Sequence, residues 1–282
     1  MYLNKQGIIY KFLKNNLSLK IKHYLYSILH FRNNLKTRFG NFIFNFLITD
    51  IYDENKKKIF TLRNFGGSTV SRGFSMFRSQ PEVPKWIDTF DQNSVLIDIG
   101  ANIGLFSLYA AKKKHKVIAI EPESLNFACL NLNIKDNDLN DKISAFPIAL
   151  NDKFEISNLN LSVMKFGGSG STFDRQINDQ GAYFYPIYKQ GAISCTLDDL
   201  LEKKKIVPNY IKIDVDGNEL KVIQGMTETL KKNELKSICI ELNPDFKEHQ
   251  QVVKILNDIF KRFKRNQWYE GQKAFNHIFY KN

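Results

Sequence analysis

Apolar residues recur at Ile9, Leu13, Leu17, Ile21, Leu25 and Ile28, a three- to four-residue step that predicts one or two amphipathic helices. Neither Pro nor Gly interrupts the chain between Gly7 and Gly40. Residues 41–49 and 58–63 then form two β-rich runs, and Asp53-Glu54-Asn55 between them reads as the turn of a hairpin. Pro81 and Pro84 lead into a short helix around residues 86–90. Beyond that point the pattern alternates. Strands are expected at 95–99, 117–120, 143–150, 210–215 and 237–242, and helices at 102–113, 124–137, 219–232 and 247–263. Two further runs, near 268–270 and 275–280, close the chain with no helix between them. Strands alternating with helices imply an α/β fold with a mostly parallel sheet covered on both faces, and the last pair implies an antiparallel edge.

Composition narrows this without changing it. With 282 residues, 43% hydrophobic and 25% charged, the chain is long enough for one sizeable core and is neither disordered nor fibrous in character. The apolar stretch at 42–48 is broken by Asn45 and is too short to cross a bilayer. The N-terminus lacks the apolar segment and small-residue cleavage site of a signal peptide, so the expected location is cytoplasmic. Cys129, Cys195 and Cys239 are scattered and read as reduced, small apolar side chains. The histidines show no metal-ligand spacing, and no metal ligands are predicted.

Charge adds a partner question. Eight Lys and Arg residues precede the first acid, Asp50, in a chain of net charge +12. Tyr10, Tyr24, Tyr26 and Phe31 interleave with them. Three readings stay open for residues 1–40: packing on the core, peripheral contact with the inner face of an anionic membrane or a lipid-linked substrate, and nucleic acid. The third is disfavoured, because the basic residues are concentrated ahead of the core.

The chemistry is concentrated at the ends of the predicted strands. Val95-Leu96-Ile97-Asp98-Ile99-Gly100-Ala101-Asn102-Ile103-Gly104 runs from strand through a glycine turn into a helix. Gly100 and Gly104 stand four apart, so the dinucleotide pattern G-x-G-x-x-G is absent. An acid just before the turn repels a pyrophosphate and suits a cofactor that carries an ammonium and a sulfonium, as S-adenosylmethionine does. Glu121 ends the next strand, 21 residues after Gly100, where an acid accepts hydrogen bonds from ribose hydroxyls. Ala149-Leu150-Asn151-Asp152 closes the third strand, where an adenine edge would lie.

The fourth strand ends Ile213-Asp214-Val215-Asp216-Gly217-Asn218-Glu219, and the fifth ends with Glu241. Asp214, Asp216 and Glu241 are the candidate catalytic acids, since a poor nucleophile such as a hydroxyl needs a base. A divalent metal held by carboxylates would serve the same end. For Asp216 and Glu219, capping and turn chemistry is an equal reading. Phe166-Gly167-Gly168-Ser169-Gly170-Ser171-Thr172, between β-like runs at 154–163 and 183–195, is either a lid over the cleft or a plain surface loop, standing where a helix would be expected.

These motifs resemble the FkbM family of methyltransferases. The resemblance runs from about Arg72 to Asn243 and rests on 97–104 and 211–219, with Thr196-Leu197-Asp198 and Gln80-Pro81-Glu82 in support. Gln80 departs from the family, where an acid is common. The resemblance implies a Rossmann-like class I methyltransferase domain at 81–282, with a mostly parallel seven-stranded sheet, behind a helical and β-hairpin extension at 1–80. It implies Asp98, Gly100, Asn102, Gly104 and Glu121 as contacts of S-adenosyl-L-methionine, and Asp214 at the reaction centre. Ala101 and Ala149 complete the expected cofactor set. The expected activity is O-methylation of a small molecule or glycan sugar. An RNA methyltransferase is the alternative, but no Asn-Pro-Pro-Tyr-type motif follows Ile213. A binding module without catalysis is the other alternative, and the intact acids Asp98, Glu121, Asp214 and Glu241 argue against it.

Overall fold

The computed structural model describes residues 47–53, 55–260, 262–265 and 275–281. The helices expected before residue 40, the run at 41–46 and the strand expected at 268–270 lie outside the described residues.

A seven-stranded sheet has the order β12-β13-β11-β10-β3-β4-β5. Its members are β3 (Val95–Ile99), β4 (Lys116–Ile120), β5 (Ile143–Phe146), β10 (Tyr210–Ile213), β11 (Ser237–Leu242), β12 (Arg262–Arg265) and β13 (Phe275–Tyr280). Neighbours from β5 to β11 pair in parallel, and β13 is antiparallel to both β11 and β12. This is the Rossmann-like arrangement of class I methyltransferases, closed by an antiparallel C-terminal hairpin.

The alternation of side chains along each strand supplies two cores. Leu96, Val117, Ile143 and Tyr210 face one side, where they meet α3 (Leu105–Lys112) and α4 (Ser124–Asp136). Ile97, Ile118, Ile211 and Ile238 face the other, under α5 (Leu197–Lys204), α6 (Glu219–Gln224), α7 (Thr227–Lys231) and α8 (Lys247–Ile259). Strands covered on both faces need near-continuous apolar sequence, which these have.

The compact unit containing the sheet begins at Thr49. Ile51 of β1 (Ile48–Tyr52) and Phe60 and Leu62 of β2 (Lys58–Arg63) therefore belong to the first core. Asn133 of α4 and Asn137, which caps its C-terminus, accept from the backbone N–H groups of Arg63 (2.7 Å) and Thr61 (2.9 Å), fastening β2 to the helix. Met76 of α1 (Gly67–Ser79) and Trp86 of α2 (Glu82–Ile87) complete this side.

Local chemistry moved several expected boundaries. The strand expected at 143–150 breaks at Pro147, which has no N–H for a ladder. Its second half, β6 (Ala149–Leu150), joins a small sheet of order β6-β9-β7-β8 with β7 (Glu155–Leu161), β8 (Thr172–Phe173) and β9 (Tyr188–Cys195). Its strands β7 and β9 fall within the β-like runs expected at 154–163 and 183–195, in place of a crossover helix. The helix expected at 219–232 divides around Gly225, where a Cβ would lie 2.1 Å from the Asn151 carbonyl oxygen. α3 starts three residues later than expected because Asn102 (φ 51°) and Gly104 (φ 92°) are left-handed.

Candidate active site

The strand order reverses direction between β3 and β10, and in open α/β sheets ligands bind at the carboxyl ends of such strands. Here the two strand ends press together. Asp214 N donates to Ile99 O (3.0 Å), and a Cβ on Gly100 would sit 1.8 Å from Asp214 O. Gly100 and Ala101 then donate to Ile120 O at the end of β4 (2.9 and 3.0 Å). The turn continues into Asn102, whose N–H donates to Glu121 Oε2 (2.7 Å). Glu121 Oε1 accepts from Glu123 N (2.9 Å). Burial pushes the Glu121 carboxyl up to about 8, against these two backbone N–H groups.

Three acids and one lysine form the electrostatic centre. Lys212, buried in β10, donates from Nζ to Asp214 Oδ2 (3.0 Å). Burial works against ionisation of Asp214, but the Lys212 ammonium and its hydrogen bond outweigh it and hold the carboxyl low. Glu241 is pushed well above the usual carboxylate range by the Asp214 charge and then by burial. Asp216 is left-handed (φ 55°), and its Oδ2 accepts from Gly170 N (2.7 Å). Burial and then the Asp214 charge raise it to about 7.

Asp98 takes a different position from the one its sequence context suggested. It shares the inward face of β3 with Leu96, is 1% exposed, and accepts from Ser107 Oγ of α3 (2.6 Å). Burial raises its pKa, opposed by Lys212, which is its register partner on β10. It lines neither cavity described below, because side-chain alternation aims it at α3 rather than at the turn. Gly104 does not line them either. A Cβ there would meet Leu130 Cδ1 at 2.5 Å, so its glycine serves helix packing.

Two cavities flank the turn. Both are bordered by Arg72, Gly100, Asn102 and Asp214. The first adds Glu121, Ala149 and Asp216, with apolar walls from Ile148, Val215 and Phe173. The second adds Ala101 and Glu241, and beyond them Glu82, Lys212 and Asn276. The structure thus brings eight of the ten expected site residues to one cleft and leaves out Asp98 and Gly104.

The glycine-rich loop lies over the first cavity. Gly168 O accepts from Asn102 Nδ2 (2.6 Å) and Asn126 Nδ2 (3.1 Å), and Arg72 Nε donates to Gly167 O (2.7 Å). Gly170 holds Asp216, as described. Of the two readings of this loop, the cover over the cleft is the one its contacts match.

Some residues of the site escaped the sequence reading. Lys212 carried a visible signal, a cation in the middle of an apolar strand. Glu219 was expected only at the start of a helix. It is 2% exposed, accepts from Val215 N and Gly217 N (both 3.3 Å), and meets His249 Nε2 at 2.8 Å. His249 Nδ1 accepts from Asn243 N (2.8 Å), so Nε2 carries the proton and donates to Glu219. This bridge joins the loops that follow β10 and β11. Nothing in the spacing of His249 announced it. Among the described residues, no group of three or more His, Cys, Asp or Glu side chains is arranged to hold a metal ion, and no helix is long and apolar enough to cross a membrane.

Residues 98–267 match the family described as Methyltransferase FkbM domain. The chain is 25% identical to the methyltransferase sdnD of Sordaria araneosa over 166 residues, 50% of this chain and 64% of that protein. It is 26% identical to the hexuronic acid methyltransferase AglP of Haloferax volcanii over 179 residues, 61% of this chain and 65% of that protein. The chain thus spans just under two thirds of the length of each relative. Among solved structures, precorrin-6y C5,15-methyltransferase from Geobacter metallireducens superposes with a TM-score of 0.44 at 12% identity, covering 71% of this chain and 87% of that one. A METTL16 methyltransferase domain gives 0.46 at 13% identity, covering 84% and 87%.

Proposed function

Because the chain belongs to the FkbM family of methyltransferases, we propose that it transfers a methyl group from S-adenosylmethionine to a hydroxyl of a small molecule or glycan sugar. The first cavity fits the adenosine end of that cofactor. Glu121 offers two oxygens for ribose hydroxyls, and Ile148, Ala149 and Val215 supply apolar walls for a flat base. Asn218 also lines it, donates from Nδ2 to Phe173 O (2.9 Å), and leaves a buried Oδ1 without a hydrogen-bond partner. An adenine amino group is a donor of the kind that oxygen lacks.

When bound, the cofactor supplies an electrophilic methyl group on a sulfonium. The protein's part is positioning and proton handling. The observation that carries the reading is Asp214, held ionised by Lys212 on the edge that both cavities share. From there its carboxylate accepts the acceptor hydroxyl's hydrogen bond and aims a lone pair of that oxygen. As the oxygen gains its bond to carbon it becomes far more acidic than a carboxylic acid. Even a carboxylate with a depressed pKa then takes its proton. Glu241 lines the second cavity beside Asp214. The loop at 167–170 covers the cleft and excludes water that would compete for the same position. A hexuronic acid methyltransferase among the relatives supports a sugar acceptor.

The test uses methyl-labelled S-adenosylmethionine with the full chain and a panel of sugar nucleotides and oligosaccharides. The expected product keeps its label in mild alkali, as a methyl ether does. Label released as methanol would reveal a carboxyl ester and overturn the hydroxyl reading, and label in RNA would overturn the sugar. On the same acceptor, Asp214→Asn should lower turnover about 100-fold or more, with affinity for S-adenosylhomocysteine nearly unchanged.

A further inference from the structure

The second cavity contains more charge than the proton-handling group uses. Lys212 is matched to Asp214. Arg72, whose Nε donates to Gly167 O, and Glu82 also line this cavity. Glu82 opens α2 and is 8% exposed. Its Oε1 accepts from Asn276 Nδ2 (2.7 Å), which itself stands opposite Glu241 on the β11–β13 ladder. Its Oε2 is buried and has no hydrogen-bond partner. An acceptor oxygen shut away from water without a donor is costly unless a ligand supplies one. Asn276 holds the carboxyl group in place, so the lone oxygen cannot swing out to solvent without breaking that bond.

The donor must reach the second cavity from the edge at Gly100, Asn102, Arg72 and Asp214, the stretch shared with the first. A molecule whose adenosine end lies beside Glu121 and Ala149 projects its other end across that edge. In S-adenosylmethionine that end is an α-amino acid, with a cation and an anion on one carbon. We infer that Glu82 Oε2 receives the α-ammonium of the cofactor in the second cavity, with Arg72 facing the α-carboxylate. The inference rests on the cofactor reading given above. It moves the ammonium contact away from Asp98, which lines neither cavity and points to Ser107 of α3, to a residue 16 positions earlier in the chain.

Calorimetry on the full chain separates the possibilities, using two probes that share adenosine and a thioether. S-adenosylhomocysteine retains the amino-acid end, and 5′-methylthioadenosine lacks it. Glu82→Gln, and Glu82→Met as a second variant of similar volume, should weaken S-adenosylhomocysteine binding roughly 10- to 100-fold, as expected for loss of a charged hydrogen-bond partner. Both should bind 5′-methylthioadenosine within about twofold of the parent chain. Retained binding of that probe also reports an intact fold. Unchanged affinity for S-adenosylhomocysteine in both variants overturns the assignment. Equal loss of both probes overturns it too, since Glu82 would then be a structural support. If the parent chain binds neither probe, the cofactor reading itself falls.

Discussion

Glu121 and Asp216 spend folding free energy on ionisation near neutral pH. Glu121 moves from an ordinary value of 4.5 up to about 8, and Asp216 from 3.8 up to about 7, burial being the first cause in each. A raised carboxyl holds its proton in the folded chain over a range in which the unfolded chain has released it. Its favourable contribution is therefore complete at acid pH and is lost as pH rises through that window. Asp214 has the opposite sign. Lys212 holds it low, so its contribution is present above the ordinary range and lost on acidification. Glu121→Gln removes one of these terms. Thermal or urea unfolding from pH 5 to 8 should show the variant gaining on the parent chain, by on the order of 3 kcal/mol across the range. A gap that stays constant with pH would mean that Glu121 titrates as an exposed acid does.

The elements explain why these residues meet. β3 and β10 end in direct backbone contact at Gly100, a position that is left-handed (φ 77°) and has no room for a side chain. Gly100→Ala should destabilise the chain by roughly 3 kcal/mol or more in urea unfolding, since neither backbone can give way without opening the sheet at the cleft. A loss below about 1 kcal/mol would mean that the two strand ends are not pressed together.

The strands buried on both faces were legible in sequence because their apolar runs have no other use, and so were Gly100, Asn102, Glu121 and Asp214 at their ends. α1 was not legible. It contains Gly73 and several serines, which form helices poorly, and it exists because packing selects it. A Cβ on Gly73 would meet Ile51 Cδ1 at 2.6 Å and Leu62 Cδ1 at 2.8 Å, so the glycine lets the helix lie on the hairpin. With α1 come Arg72 and the second cavity. Asp98 was legible as a residue but misjudged in direction, since a motif shows which acid is present and only the strand's pleat shows which way it points. Glu82 stood in a recognised segment, yet its meaning depends on Asn276, 194 positions away.

At the scale of the molecule, the parallel sheet provides the reversal between β3 and β10, its two cores fix the strand ends, and the loop over the first cavity closes the cleft. The proposed cofactor carries a ribose and a cationic centre, and the cleft matches that proposal in two respects. It lacks the glycine pattern that a dinucleotide pyrophosphate needs, and acids crowd its centre. Calorimetric titration of the full chain with S-adenosylhomocysteine and, separately, with NAD tests this most directly. The expected result is one S-adenosylhomocysteine per chain, affinity reduced about tenfold or more in Glu121→Ala through loss of the ribose contact, and no NAD. A chain that binds NAD and refuses S-adenosylhomocysteine would contradict the account.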